Sequence, residues 1–193
     1  FKADFALDGP VPWTAGVCAE ASVVHLGDTL GAIARSLTAA RAGDPPVAPA
    51  MVIGQHSLHD PTRAPAGKHT LYVYTHVPYE PAVDPEAVGD TIESRIEEFA
   101  PGFRRLVLAR ALHAPQDLER LNPSLVRGDI LGGSSEPDQQ LILRPAPELA
   151  RYTTPVRGLY LGSASAHPGG GVHGMPGLGA ARAALRSRRR GIR

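Results

Sequence analysis

Thr70-Leu71-Tyr72-Val73-Tyr74-Thr75-His76-Val77 decides the first part of the fold. Leu71, Val73 and Val77 recur with a period of two on one side, and Tyr72, Tyr74 and His76 on the other. This is the pattern of a half-buried strand rich in β-branched and aromatic residues. The tyrosine and histidine side reads either as packing against a helix or as the lining of a pocket for an apolar ligand. Upstream, Met51–His56 and Ser22–Leu26 read as further short strands. Phe1–Asp8 alternates cleanly, with Phe1, Ala3, Phe5 and Leu7 inward; Pro10 and Pro12 end it because proline cannot donate to a ladder. Between these strands Asp28 is placed to cap a helix over Thr29–Ala42. Its apolar stripe is Leu30, Ile33, Ala34 and Leu37, and Gly43 marks the stop. Residues 60–67 read as a surface loop. Downstream, Asp84 followed by Pro85 opens a second helix with Val88, Ile92, Ile96 and Phe99 inward, ended by Pro101-Gly102. Leu106–Leu112 reads as a strand, Pro115–Leu121 as a short helix, residues 122–140 as a loop, and Leu141–Leu143 as a short strand or extended piece. Intermixed strands and helices of this kind predict an α+β domain with a mixed or antiparallel sheet.

The 193 residues suffice for one domain and part of another. Lys and Arg number 20 against 19 Asp and Glu. A net charge of +1 gives no reason to expect a nucleic-acid partner. The balance hides a tail: Arg182, Arg186, Arg188, Arg189, Arg190 and Arg193 crowd the end of the chain. Cations there complement a helix dipole and offer a peripheral contact with anionic lipid. The single cysteine, Cys18, excludes an intrachain disulfide and a cysteine zinc cage and points to a reducing, cytoplasmic setting. No apolar run approaches the roughly 20 residues of a membrane span. Phe1 opens directly in a patterned strand, without Met or a leader, which predicts a chain cut from within a longer protein. His56 and His59 lack a carboxylate at metal-ligand spacing, so no metal site is expected.

The C-terminal stretch differs in character. Gly158-Leu159-Tyr160-Leu161-Gly162 reads as a short buried strand. Ser163 and the turn His167-Pro168-Gly169-Gly170-Gly171-Val172-His173-Gly174 follow, and then an Ala-rich helix to about Arg190. The domain boundary is set near Pro155, with residues 1–155 one domain and 156–193 a strand–glycine loop–helix unit. Glycines permit close backbone approach, and a helix start offers free N–H groups and partial positive charge to an anion. They equally permit tight helix packing, and the residues leave both readings open. Gly169, Gly171 and Gly174 match G-x-G-x-x-G, but no Asp or Glu occurs after Glu148, so the acid expected about twenty residues on is missing. Gly162-Ser163-Ala164-Ser165-Ala166 lacks the immediate helix and later acid of a nucleophile elbow, which disfavours a hydrolase. His167 and His173 flank the glycine turn, either as donors to a ligand or as helix-start residues.

Several stretches together resemble a known family. They are Gln55-His56-Ser57-Leu58, Asp60-Pro61-Thr62-Arg63-Ala64-Pro65-Ala66-Gly67, Phe99-Ala100-Pro101-Gly102-Phe103, Asn122-Pro123, Gly128-Asp129-Ile130, Thr154-Pro155 and Ser165-Ala166-His167-Pro168-Gly169-Gly170-Gly171-Val172-His173-Gly174-Met175. They are similar to phytoene desaturase-like FAD-dependent oxidoreductases, specifically the pyridine nucleotide-disulfide oxidoreductase domain-containing branch. The resemblance implies a substrate domain over residues 1–155 and a return of 156–193 to a Rossmann-like FAD domain. The N-terminal, FAD-binding half of that domain is missing here. It implies FAD as cofactor, with Gly162, Ser163, Gly170, Gly171, Val172 and His173 near its ribityl–pyrophosphate and the edge of its ring system. It also implies hydride transfer from a small apolar substrate to flavin. His173 is the candidate catalytic residue by position. Relatives carry a Cys or Gly near Gly162 and a Cys near Pro176, and neither Cys occurs here, which argues against thiol redox chemistry in the loop. Three other readings accompany this one: a redox-neutral flavin-dependent isomerase, a non-enzymatic interaction module, and a homodimer formed through the exposed substrate-domain face.

Overall fold

A computed structural model describes residues 1–189. In chain order the strands and α-helices are β1 (Lys2–Leu7), α1 (Gly16–Glu20), β2 (Val23–Leu26), α2 (Leu30–Ala42), β3 (Met51–Gly54), β4 (His69–Thr75), α3 (Pro85–Phe99), α4 (Phe103–Leu106), β5 (Val107–His113), α5 (Pro115–Leu121) and α6 (Met175–Arg189), with short 3-10 turns between them. The chain divides into two compact units, Phe1–Pro123 and Ser124–Arg193. The sequence reading set its boundary near Pro155, which falls inside the second unit.

In the first unit the five strands form one antiparallel sheet in the order β2-β3-β4-β1-β5. Register follows the hydrophobic alternation. Ala3 stands opposite Val73 and Leu112, and Phe5 opposite Leu71, so Ala3, Phe5, Leu7, Leu71 and Val73 share the buried face. A one-residue slip would bring Tyr72 and Asp4 inward instead, which is why the pairing is specific. Val88, Ile92 and Ile96 of α3 join this core, with Phe103 meeting Phe5 edge to face at 5.7 Å. The side chain of Asp84 accepts from the Glu86 amide at 3.1 Å, with Pro85 in the first turn, as expected of that pair. On β5, Arg110 clasps Asp90 (2.8 Å), Glu93 (2.7 Å) and Glu86 of α3, and these hydrogen bonds hold its proton more tightly than in an ordinary arginine.

Four local expectations change. Asp28 does not cap α2. It sits at φ +55 and pairs with Arg95, while Thr29 accepts from the Ala32 amide at 3.2 Å. The stripe of α2 is not buried. Ser36 is its one buried residue among those described, because the Ser36 hydroxyl accepts from the Ala50 amide at 3.0 Å and turns that side inward; Leu30 is 84% exposed. Leu141–Leu143 is a 3-10 turn instead of an extended piece. Gly158–Gly162 is not a buried strand. It makes one isolated bridge, Thr153 to Tyr160, and Leu159 is exposed. A strand needs an edge to pair with, and no strand occurs among the described residues of the second unit. The antiparallel sheet is thus as expected, whereas the strand of the C-terminal unit is absent. The expected helix end at Arg190, and Arg193, lie outside the described residues.

Candidate functional site

In the second unit the candidate residues are organised around an arginine. Arg144 is 3% exposed. Its Nε donates to the Ala164 carbonyl (3.1 Å). Its Nη1 donates to Ser134 (2.7 Å) and Gln139 (3.3 Å), and its Nη2 to Leu131 (3.3 Å), Gly132 (3.0 Å) and Ala164 (2.9 Å). A buried guanidinium normally finds a carboxylate. Here, among the described residues, carbonyl oxygens alone satisfy it, and three chain segments are drawn together as a result. Sequence reasoning missed this residue. Its signal is a lone cation between Leu141-Ile142-Leu143 and Pro145, an apolar context that predicts burial with an obligatory set of acceptors.

The glycine turn leans on the same arginine. Gly169 is buried against the guanidinium, and Gly170 lies against the Leu131 backbone. The Ser163 carbonyl accepts from Ala166 (3.0 Å), the Ala166 carbonyl accepts from Gly169 (2.8 Å), and the Ser163 hydroxyl accepts from the Ser165 amide (3.2 Å). A tight turn therefore follows Ser163, where a nucleophile elbow would need a helix. From Gly170 to Met175 the chain is exposed, and among the described residues no protein acceptor bonds the amides of Gly170, Gly171, Val172 or His173. The His173 imidazole lies over Gly171, and its Nδ1 accepts from the Met175 amide at 3.1 Å, so His173 caps α6. Gly162 rests on the first turns of α6 through Gly177 and Ala180. Gly179 takes the ring of Tyr152, which leaves no room for a Cβ. Gly162, Gly177 and Gly179 lie in packing contacts, while the amides of Gly170 and Gly171, ahead of a helix start, have no protein acceptor among the described residues. Of the two flanking histidines, His173 is a helix-start residue, and His167 has a buried Nδ1 with no partner among the described residues.

In the first unit, the outward face of the sheet carries a stack of rings. His56 lies on Tyr72 (5.0 Å, 14° between planes), and Tyr72 lies beside Tyr74 (6.4 Å, 7°). Gly54 makes this possible, since a Cβ there would sit inside the Tyr72 ring. A groove of about 370 Å³ is lined by Tyr74, His76, His25 and the Ile33 and Leu37 side chains of α2. A second cavity, about 520 Å³, is walled by Pro45, Val47, Pro49, Val77, Pro81 and Val83. His59 is tied to the Glu20 carbonyl (3.1 Å). No three His, Cys, Asp or Glu side chains among the described residues come together to share a metal ion, and no described helix is long and apolar enough to cross a membrane.

Three known proteins share this sequence over most of its length. The chain is 39% identical over 155 residues to pyridine nucleotide-disulfide oxidoreductase domain-containing protein 2 of Mus musculus, and equally to that of Rattus norvegicus. The match takes in 76% of this chain and 26% of each relative. It is 29% identical over 133 residues to a limonene dehydrogenase component of Castellaniella defragrans, covering 64% of this chain and 24% of that protein. No family model matches it. The chain thus spans about a quarter of the length of the curated relatives it matches. Glycine turn, buried arginine and aromatic sheet face accordingly belong to a sequence related to the oxidoreductases named pyridine nucleotide-disulfide oxidoreductase domain-containing protein 2.

Proposed function

We propose that this chain is part of an FAD-dependent oxidoreductase that dehydrogenates a small apolar substrate. Its second unit would contribute to the flavin cradle and its first unit to the substrate side. The observation that carries the reading is the exposed turn Gly170–His173. Its amides have no protein partner among the described residues, and it leads directly into a 15-residue helix whose dipole favours negative charge at that end. The residues present fit a dinucleotide's phosphate and ribityl oxygens: amides of Gly170, Gly171 and Val172 as donors, Gly162 and Ser163 where the chain approaches α6, and the His167 Nδ1, unpartnered among the described residues, as a further polar group. When bound, the flavin would supply hydride acceptance from a substrate C–H bond.

The chain's own residues supply position. Arg144 bonds the Ala164 carbonyl just ahead of the turn and lies against Gly169. His173 spends Nδ1 on the helix cap and thereby fixes the path of the turn; it remains the one candidate for proton transfer. The relatives' names support an oxidoreductase, and one of them names a dehydrogenase of limonene. Absorbance of the protein made from the whole reading frame tests the proposal. Flavin bands at isolation, or after addition of FAD, are expected, and Gly171→Val should weaken FAD retention by an order of magnitude or more, since a branched side chain would meet the His173 ring. A folded whole protein that stays colourless with excess FAD overturns it.

A further inference from the structure

The cavity of about 520 Å³ in the first unit is enclosed by the loop after α2, the end of β4 with the loop that follows it, and the first turns of α3. Its volume falls within the roughly 300–1,000 Å³ of small-molecule sites. At one end the two loops meet, with Gly43 against the Glu80 carbonyl and Pro81. Four of the wall positions are Pro45, Pro46, Pro49 and Pro81. Proline has no N–H and a fixed φ, so these positions offer a ligand no backbone donor and keep the walls preformed. Val77, Val83 and Val88 add aliphatic surface, and Val47 lines the same space while 92% exposed.

Three wall residues carry polar side chains, and each already has its bond inside the protein. The Thr75 hydroxyl donates to the Ala50 carbonyl (2.8 Å), the Thr91 hydroxyl donates to the Ala87 carbonyl (2.9 Å), and the Asp84 carboxylate accepts from the Glu86 amide (3.1 Å). Among the described wall residues there is no Lys, Arg or His, so the one charge an incoming group would meet is the carboxylate of Asp84. A polar group brought here would give up water for a wall whose side-chain hydrogen bonds are already spent, and an anion would also be repelled. Apolar surface, by contrast, gains by leaving water for this lining. The groove beside α2 differs, since Tyr74, His25 and His76 offer it hydrogen-bonding groups. We propose that the proline-walled cavity is a binding site for a neutral hydrocarbon. The site stands on its lining alone; only taking its occupant for the substrate rests on the flavin reading above.

Amide NMR of the 193-residue chain, titrated with isopropylcyclohexane, tests the site. Saturable shifts are expected at Thr75, Val77, Val83, Val88 and Thr91. Cyclohexylpropanoate, an anion of equal carbon number, should bind there at least about tenfold more weakly. Ala87→Phe places a ring in the cavity from an exposed position of α3. It should abolish the hydrocarbon shifts and leave the denaturation midpoint unchanged. Four outcomes overturn the proposal: a folded chain with no saturable shifts; equal affinity for the anion; shifts centred on Val52, Tyr74 and His76 of the other groove; or a folded Ala87→Phe chain that binds as before. The first three are read on the unsubstituted chain, so they decide the matter even where the variant does not fold. The flavin spectrum is read separately. A colourless whole protein whose cavity takes the hydrocarbon defeats the function and spares the site, and a yellow one whose cavity does not take it does the reverse.

Discussion

Arg144 shows how one residue can substitute for a core. Its six contacts to carbonyl oxygens tie residues 131–139 to Ala164. Hydrogen bonds to a charged group are each worth about 1.5–3 kcal/mol, and a buried acceptor left without a donor costs about 1–3 kcal/mol. Arg144→Ala is therefore expected to abolish ordered structure around 131–144 and 163–170, seen as loss of dispersed amide signals there, while signals from the sheet remain. Arg144→Lys should rescue little, because a compact ammonium has three donors and cannot span five carbonyls as a planar fork does. Full rescue by lysine would show that charge alone, and no fork geometry, holds the segments.

At the scale of elements, the joint between α3 and α4 depends on a carboxylate. The Glu97 side chain accepts from the Arg104 amide at 2.9 Å and the Gly102 amide at 2.7 Å. Those two bonds, the Arg104 one foremost, hold its carboxyl below the ordinary value of 4.5. A depressed folded pKa means stabilisation that is present above the ordinary carboxylate range and lost as pH falls through the folded value. Acid titration should accordingly shift the Gly102 and Arg104 amide resonances together below pH 4.5, and Glu97→Gln should remove that step. Amides that stay fixed down to global unfolding would show that Glu97 does not hold the joint. The same scale explains why α2 surprised. Period-3.6 apolar spacing says which residues share a side of a helix, and it is silent on what that side meets. A serine hydroxyl bonded to Ala50 settled the rotation, and the Leu30 side of the helix was left in water.

The molecule as a whole is two units of unlike construction. All residues of the main hydrophobic cluster, from Phe1 to Ala114, lie in the first. Residues 1–123 on their own are expected to melt cooperatively, with Ile92→Ala, at 0% exposure, costing about 2–5 kcal/mol in denaturant titration. A non-cooperative melt of the 1–123 chain would show that the second unit contributes to this core.

Alternation, capping pairs and proline stops sufficed to place all five strands and the helices α2, α3, α5 and α6 to within a few residues, because these features are local: a period of two has one buried side, and a proline has no amide to donate. The glycine turn was equally visible, and so was its kinship, since a run such as His167–Gly174 carries its own signature. Hidden from the chain's order of residues were the partners. The apolar neighbours of Arg144 announce burial and a need for acceptors but not which five carbonyls supply them, and nothing in Gly158–Gly162 announces that it lacks an edge to pair with. Nor does Leu141-Ile142-Leu143 announce that it points into water. Each of these is a relation between distant segments, set by which surfaces close on one another once the backbone is folded, and only the tertiary structure holds that information.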